Sequence, residues 1–138
     1  MLSILDKINE PGIYYPTIKD VRKWCSILNE VIFNGVVPKF YYVTVKRIPG
    51  QFAACIPSFK VKEPHDRCIN LEIDSKFNNF KHFIIILVHE MIHAWQWIIN
   101  NECSHGKSFF QWKEKLKEHG IPLQKKYHKK FLDIPKAI

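Results

Sequence analysis

Two histidines stand four residues apart in the segment HEMIH, with His89 at its start and His93 at its end. On a helix of about 3.6 residues per turn these positions lie roughly 40° apart, so both imidazoles can reach one metal ion. Glu90 flanks the pair and can hold a water molecule beside the metal. A zinc ion lowers the pKa of such a water to about 7 and polarises a carbonyl, while the glutamate acts as general base. The spacing therefore indicates zinc-dependent peptide hydrolysis.

A catalytic zinc needs a third protein ligand and one open position. Gln96 and Ile99 stand where the pattern HExxHxxGxxH needs glycine and histidine, so that class of metalloprotease is excluded. We favour His105 as the third ligand, because it follows a predicted turn and Gly106 lets the backbone bend closely there. The two glutamates of the following helix also remain open by spacing alone. The candidate donors downstream are Glu102, Cys103, His105, Glu114, Glu118 and His119.

The HExxH residues also interrupt the most apolar part of the chain, which begins at Phe83. Burying ionisable side chains without a partner is costly, and metal coordination would satisfy them. The alternative is a set of core histidines that are hydrogen-bonded to the main chain. We regard the metal site as the better interpretation.

Three helices are predicted from apolar spacing and end signals. The segment from Phe80 to Asn100 is apolar on nearly every side, which predicts a helix in the centre of the fold. An earlier helix begins at a capping-box pattern, Thr17–Asp20, and ends at Asn34. A last helix is expected from about Lys107 to Gly120, where glycine suits the end. A further short helix is expected within the first ten residues.

Three segments have the character of strands: residues 40–46, 51–56 and 68–74. The first is rich in β-branched and aromatic residues, and the third alternates apolar with polar ones. A polar stretch with Pro57 and Pro64 predicts a loop between the second and third. The predicted fold class is therefore α+β, with a small, mainly antiparallel three-stranded sheet packed on the central HExxH helix and flanked by helices.

The composition predicts one domain, residues 1–138, because the chain has no repeat and no low-complexity linker. The cysteines form no CxxC pair, which argues against a zinc ribbon or a cysteine zinc finger. The N-terminus lacks a secretory signal, and His89 interrupts the apolar run before it could cross a membrane. We expect a cytoplasmic, monomeric protein with reduced thiols and no membrane contact.

The formal net charge is +8 and the isoelectric point is about 9.4, which favours an acidic partner such as nucleic acid. Residues 111–138 hold eight lysines against three acidic residues, a net charge of +5. Residues 121–138 form a basic tail, in which lysines could neutralise phosphates and a tyrosine could stack on an unpaired base. The other interpretation is a solvated helix face. The candidate contacts are Lys125, Lys126, Tyr127, Lys129 and Lys130.

These motifs resemble the SprT/Spartan family of metalloproteases. The family signature is HExxH, a loop, and then His-Gly-x-x-Phe at the head of the next helix. Residues 89–93 and 105–109 match both parts. Residues 33–38, with the sequence FNGVVP, are also similar to the family's approach to its first strand, with Val37 in place of leucine. The resemblance covers about residues 17–120 and implies a zincin-like fold.

The resemblance further implies one catalytic zinc ion, bound by His89, His93 and His105, with Glu90 as the catalytic base. Spartan-like proteins are DNA-dependent proteases that digest proteins trapped covalently on DNA. We therefore expect a protein substrate and DNA as a partner. The protein would be associated with the nucleoid or with DNA and would act in the repair of DNA–protein crosslinks. This chain departs from many relatives in its short interval between His93 and His105 and in having no zinc ribbon.

Two other functions are compatible with the same residues. A non-catalytic DNA-binding module could hold a structural metal with three histidines, with Glu90 only hydrogen-bonded. A zinc protease could instead act on a dedicated protein partner without DNA. Replacing Glu90 with glutamine separates the first alternative from an enzyme, because the change should abolish proteolysis and spare the binding of metal and DNA.

Overall fold

The computed structural model describes residues 7–60 and 63–124, which form an α+β fold as predicted. Two long helices and a three-stranded sheet enclose the core, and two short helices follow. The predicted helix in the first ten residues falls mostly on residues 1–6, outside this range. The elements in chain order are α1 (Ile18–Val31), β1 (Val43–Val45), β2 (Ala53–Lys60), β3 (Glu63–Ile73), α2 (Phe80–Asn100), α3 (Lys107–Phe110) and α4 (Lys113–Lys117).

Helix α1 begins with the predicted capping box. The Thr17 hydroxyl accepts a hydrogen bond from the Asp20 main-chain N–H at 3.1 Å, and the Asp20 carboxylate accepts one from the Thr17 N–H at 2.9 Å. These bonds satisfy main-chain donors that have no partner within the helix. After the helix, the Asn29 side chain bonds both the N–H and the C=O of Val37 at 3.0 Å. The chain is thereby held as it turns toward β1.

The sheet has the strand order β1-β3-β2, and its two pairings differ in direction. Strands β2 and β3 are antiparallel, with Cys55 opposite Leu71, whereas β1 runs parallel to β3, with Val43 opposite Leu71. The sheet is therefore mixed: the predicted antiparallel pairing holds for β2 and β3, and β1 adds a short parallel pairing. The chain reverses twice between β1 and β3, which makes these strands parallel, and β3 then lies between β1 and β2 rather than at an edge.

The two prolines assigned to a loop lie in strands instead. Pro57 is in β2 opposite Ile69, and Pro64 is within β3. Among the described residues β2 pairs only with β3, so it is an edge strand. A proline is tolerated there because one side of the strand makes no hydrogen bonds to a neighbouring strand. The second and third strands are therefore longer than the predicted segments.

Helix α2 spans Phe80–Asn100, as predicted, and most of its residues are buried against the sheet and α1. Asn79 caps its start by accepting a hydrogen bond from the His82 N–H at 2.9 Å. Arg67 of β3 donates to the last carbonyls of the helix, including that of Ile98 at 3.0 Å. By length and composition alone α2 could cross a membrane, but 78% of its most apolar window is buried inside the protein. It is the central helix of the core.

The single helix expected from Lys107 to Gly120 is divided into α3 and α4 by a turn at residues 111–112. The turn separates two aromatic side chains that pack in different places. Phe109 lies against His93, with ring centroids 5.0 Å apart, and Trp112 lies against Trp95 at 5.5 Å. Gly120 ends the segment with a φ of 71°, the left-handed conformation that glycine adopts readily.

Candidate metal centre

Three histidine rings, two from α2 and one from the loop before α3, converge on one point. Nε2 of His105 lies 3.1 Å from Nε2 of His93 and 3.4 Å from Nε2 of His89. With one ligand atom taken from each residue, the three atoms all lie within 4.8 Å of one another. Zinc–nitrogen distances of about 2.0–2.1 Å in a tetrahedron separate two ligand nitrogens by roughly 3.4 Å. The donor set therefore fits a zinc ion, and three histidines leave one position for water or substrate.

The core fixes two of these rings through α2. His89 and His93 lie one turn apart on the helix and are 8% and 7% exposed. The third ring comes from the loop after α2, which reverses direction at Asn101 in the left-handed conformation, with a φ of 52°. Phe109 of α3 contacts all three rings, with centroids 4.9–5.0 Å apart. One buried phenyl ring thus forms a common packing surface for the three imidazoles.

Burial keeps the two helix histidines neutral, which is the state that binds a metal. It lowers the pKa of His89 to about 3, an effect increased by the neighbouring rings of His93 and His105 and opposed by a hydrogen bond with the main chain of Gln124. Burial also lowers the pKa of His93, and the bond to Gln96 opposes this. His93 therefore has a hydrogen-bonding partner, Gln96, at the ring nitrogen that faces away from the cluster.

Glu90 is 6% exposed and follows His89 in the same turn of α2. Burial raises the pKa of its carboxyl group to about 7, and a hydrogen bond with the Cys55 side chain acts in the opposite direction. The Cys55 thiol also lies 3.4 Å from the Glu90 main-chain oxygen, to which it donates. Burial, and then the nearby Glu90, raises the pKa of that thiol well above its ordinary value. Cys55 of β2 thus attaches the sheet edge to the helix at Glu90.

A chain of polar contacts joins α2 to the loop that carries the third histidine. Nδ1 of His93 lies 2.8 Å from Oε1 of Gln96, and Nε2 of Gln96 donates to Oγ of Ser108 at 2.8 Å. The hydroxyls of Ser108 and Ser104 donate to the two carboxylate oxygens of Glu102 at 2.7 and 2.8 Å. Gln96 is therefore in contact with the site. From the sequence alone, this residue had only excluded one class of metalloprotease.

Of the six downstream donors, His105 is the one that joins the cluster within the described residues. Glu102 contacts serines of the loop instead. The sulfur of Cys103 is 4.0 Å from Nδ1 of His93, the ring nitrogen that points away from the other histidines. Glu114, Glu118 and His119 are not in the cluster. A separate cavity of about 180 Å³ between α1 and the residues before β1 is lined by none of the three histidines.

The five candidate contacts of the basic tail, Lys125, Lys126, Tyr127, Lys129 and Lys130, lie outside the described residues, so their role stays a prediction. The described chain ends at Gln124, whose main chain is hydrogen-bonded to His89. Just before it, Ile121 and Leu123 are 1% and 4% exposed and belong to the core. The last described residues therefore pack close to the metal centre.

Comparison with known proteins gives one family. The sequence model of the SprT-like family matches residues 21–129, well over half of the chain. The matched range contains the three histidines, Glu90 and Gln96. No curated protein matches the sequence.

Proposed function

The chain belongs to the SprT-like family, and from this premise we propose that it is a zinc-dependent endopeptidase that cleaves proteins bound or crosslinked to DNA. The observation that carries the proposal is the convergence of three histidine ring nitrogens at 3.1–3.4 Å beside the buried Glu90. A family associated with zinc metalloproteases and a donor set that fits zinc support the same chemistry.

In this proposal His89, His93 and His105 would hold the ion through their converging nitrogens. Zinc, when bound, supplies a Lewis acid that activates water and polarises the scissile carbonyl. The Glu90 carboxylate accepts the proton of the attacking water and delivers it to the leaving nitrogen of the peptide bond. Burial of Glu90 excludes bulk water from this proton transfer.

The edge strand β2 offers a way to bind the protein substrate. Cys55 is in this strand and contacts Glu90, so the edge lies alongside the proposed active site. An extended segment that pairs with β2 would place its main chain near the three histidines, as in other cases of strand addition. Recognition of this kind depends on the main chain, so we expect little sequence preference in the cleaved proteins.

The DNA component of the proposal is supported by charge. The chain carries a net charge of +8, and the lysines of the basic tail follow immediately after Gln124. Lysines at this place would hold the phosphates of DNA close to the metal centre. We propose a monomer that works inside the cell on DNA-bound proteins, with Lys125, Lys126, Tyr127, Lys129 and Lys130 as DNA contacts.

The test is cleavage of a basic DNA-binding protein by the zinc-loaded full chain, with and without single-stranded DNA. Glu90→Gln is the matched variant, because it keeps the size of the side chain and removes the base. We expect wild-type cleavage that requires DNA, and a rate that falls about 10²–10⁴-fold in Glu90→Gln with zinc retained.

Other results would change the proposal in distinct ways. Cleavage that is independent of DNA would retain the enzyme and remove the DNA component, which leaves a protease for a dedicated partner. Equal behaviour of wild type and Glu90→Gln in every assay, with one zinc bound in both, would favour a structural metal in a DNA-binding module.

A further inference from the structure

We propose that Gln96 is the positioning residue of the metal centre: its oxygen fixes the ring of His93, and its amide group ties α2 to the loop that supplies His105. The inference rests on the proposed function, because it concerns the same site. Gln96 lies three residues after His93 on α2 and is 0% exposed. A fully buried amide needs hydrogen-bonding partners for its donors and its acceptor. The partners of Gln96 are His93, Ser104 and Ser108, which belong to the metal centre or its loop.

The contacts determine which way the amide points. The main-chain N–H of Ser104 lies 3.4 Å from Oε1 of Gln96, and a main-chain N–H can only donate. The atom facing it must therefore be the amide oxygen. The same oxygen lies 2.8 Å from Nδ1 of His93, so this nitrogen must carry the ring hydrogen. A neutral imidazole has one N–H, and Nε2 of His93 is then left with a lone pair directed at the other histidines.

The other end of the amide has an equally defined direction. A carboxylate only accepts hydrogen bonds, so the hydroxyl of Ser108 must donate to Glu102 at 2.7 Å. That hydroxyl can then accept from Nε2 of Gln96 at 2.8 Å. The hydroxyl of Ser104 donates to the second oxygen of Glu102 at 2.8 Å. The direction of each hydrogen bond in the network therefore follows from two groups: the main-chain N–H of Ser104, which can only donate, and the carboxylate of Glu102, which can only accept.

The network has two consequences for metal binding. It holds His93 in the tautomer that leaves Nε2 free for a metal, and it fixes residues on both sides of His105, since Ser104 precedes and Ser108 follows that ligand. Partners of this kind, which orient a metal ligand without touching the metal, typically change metal affinity 10–100-fold when they are removed. Gln96 would therefore join the helix ligand and the loop ligand into one preformed site.

The experiment measures the zinc dissociation constant of the full chain by competition with a chromophoric chelator. Gln96→Met keeps the volume of the side chain and removes the acceptor, so we expect binding about 10–100-fold weaker. Gln96→Glu keeps an oxygen facing Nδ1 of His93, and its charge favours a metal-bound ring, so we expect zinc affinity equal to or higher than that of wild type. Gln111→Met, at an exposed position after α3, is the matched control and should not change affinity.

Two further readouts separate positioning from core packing. In the metal-free full chain, ¹⁵N NMR of the imidazoles should show His93 with its hydrogen on Nδ1, and Gln96→Met should shift the hydrogen toward Nε2. The visible absorption spectrum of the cobalt-loaded chain should change in Gln96→Met and stay the same in Gln111→Met. If Gln96→Met does not fold, Ser108→Ala interrupts the same network from the loop side and should still weaken zinc binding severalfold.

The opposite pattern would overturn the proposal. A residue that only fills the core would give equal zinc affinity in wild type and Gln96→Met, or weaker binding in Gln96→Glu than in Gln96→Met because of its buried charge. Either result overturns this inference alone and leaves the proposed function standing. A wild-type chain that binds no zinc overturns the proposed function and this inference together.

Discussion

The two halves of the metal centre are held by different kinds of interaction. His89 and His93 belong to α2, where apolar packing surrounds them and leaves less than a tenth of either residue exposed. His105 belongs to a partly exposed loop that polar contacts among Gln96, Ser104 and Glu102 hold in place. Core packing therefore places both helix ligands in any folded chain, although the ring of His93 is also oriented by Gln96. The third ligand depends on hydrogen bonds of the loop that a single substitution can remove. The helix half therefore contributes most to the stability of the fold, and the loop half mainly controls the affinity for the metal.

The largest effect should come from the helix half. Phe83 is 0% exposed on α2 and packs against the rings of Tyr14 and Phe77. Phe83→Ala should lower the free energy of unfolding of the metal-free chain by about 3–5 kcal/mol, because it leaves a cavity in the core. Ile99→Ala, on the same helix but 55% exposed, should change it by less than about 0.5 kcal/mol. Urea denaturation measures both, and a loss below about 1 kcal/mol for Phe83→Ala would contradict this account of α2.

The second comparison removes one ligand from each half. His93→Ala removes the shorter of the two contacts of the buried Gln96 oxygen and leaves only the Ser104 N–H at 3.4 Å, so the metal-free chain should lose about 1–3 kcal/mol of stability. His105→Ala should cost the metal-free chain less than about 1 kcal/mol, because the residue is partly exposed on a loop. Zinc at about 100 times its dissociation constant should stabilise wild type by roughly 2.7 kcal/mol. Both variants should lose most of that gain, as measured by denaturation with and without zinc. Equal metal-free stabilities in the two variants would remove the distinction between the halves.

The smallest effect concerns pH and the loop half. Hydrogen bonds from Ser108 and Ser104 lower the pKa of Glu102 below its ordinary value of 4.5. Because the folded-state pKa lies below the unfolded one, this carboxylate stabilises the fold above pH 4.5, and the contribution is lost as the pH falls through the folded-state pKa. The thermal midpoint of metal-free wild type should exceed that of Glu102→Gln at neutral pH, and the two should converge below pH 4.5. A pH-independent difference would show that the charge of Glu102 is not what orders the loop.

The parts of the fold that were predicted correctly depend on local patterns. The capping box at Thr17 and the apolar spacing of α2 involve residues within a few turns of one another, and both predictions are confirmed. The direction of β1 depends on which strand the chain places in the middle of the sheet, which no local pattern determines. Likewise, the division of the last helix reflects the separate packing of Phe109 and Trp112 in three dimensions.

The same distinction applies to the metal centre. The histidine spacing predicted the pair on α2, and His105 lies beside that pair as the motif suggested. Cys55 meets Glu90 across 35 positions of sequence, and Gln124 meets His89 from the far end of the described chain, so neither could be found by spacing. Gln96 did carry a local signal, because it is a polar residue three positions after His93 in an apolar helix. Such a residue faces the same side of the helix and can bond the ring.

The contact between Gln124 and His89 also has a consequence for synthesis of the chain. A chain that leaves the ribosome presents its N-terminal residues first, and domains begin to fold in that order. The HExxH segment emerges well before residues 121–124, which complete the core around it and supply the partner of His89. The proposed metal centre is therefore incomplete until residues 121–124 have joined the core, and we expect nascent chains that end before Gln124 to bind zinc weakly.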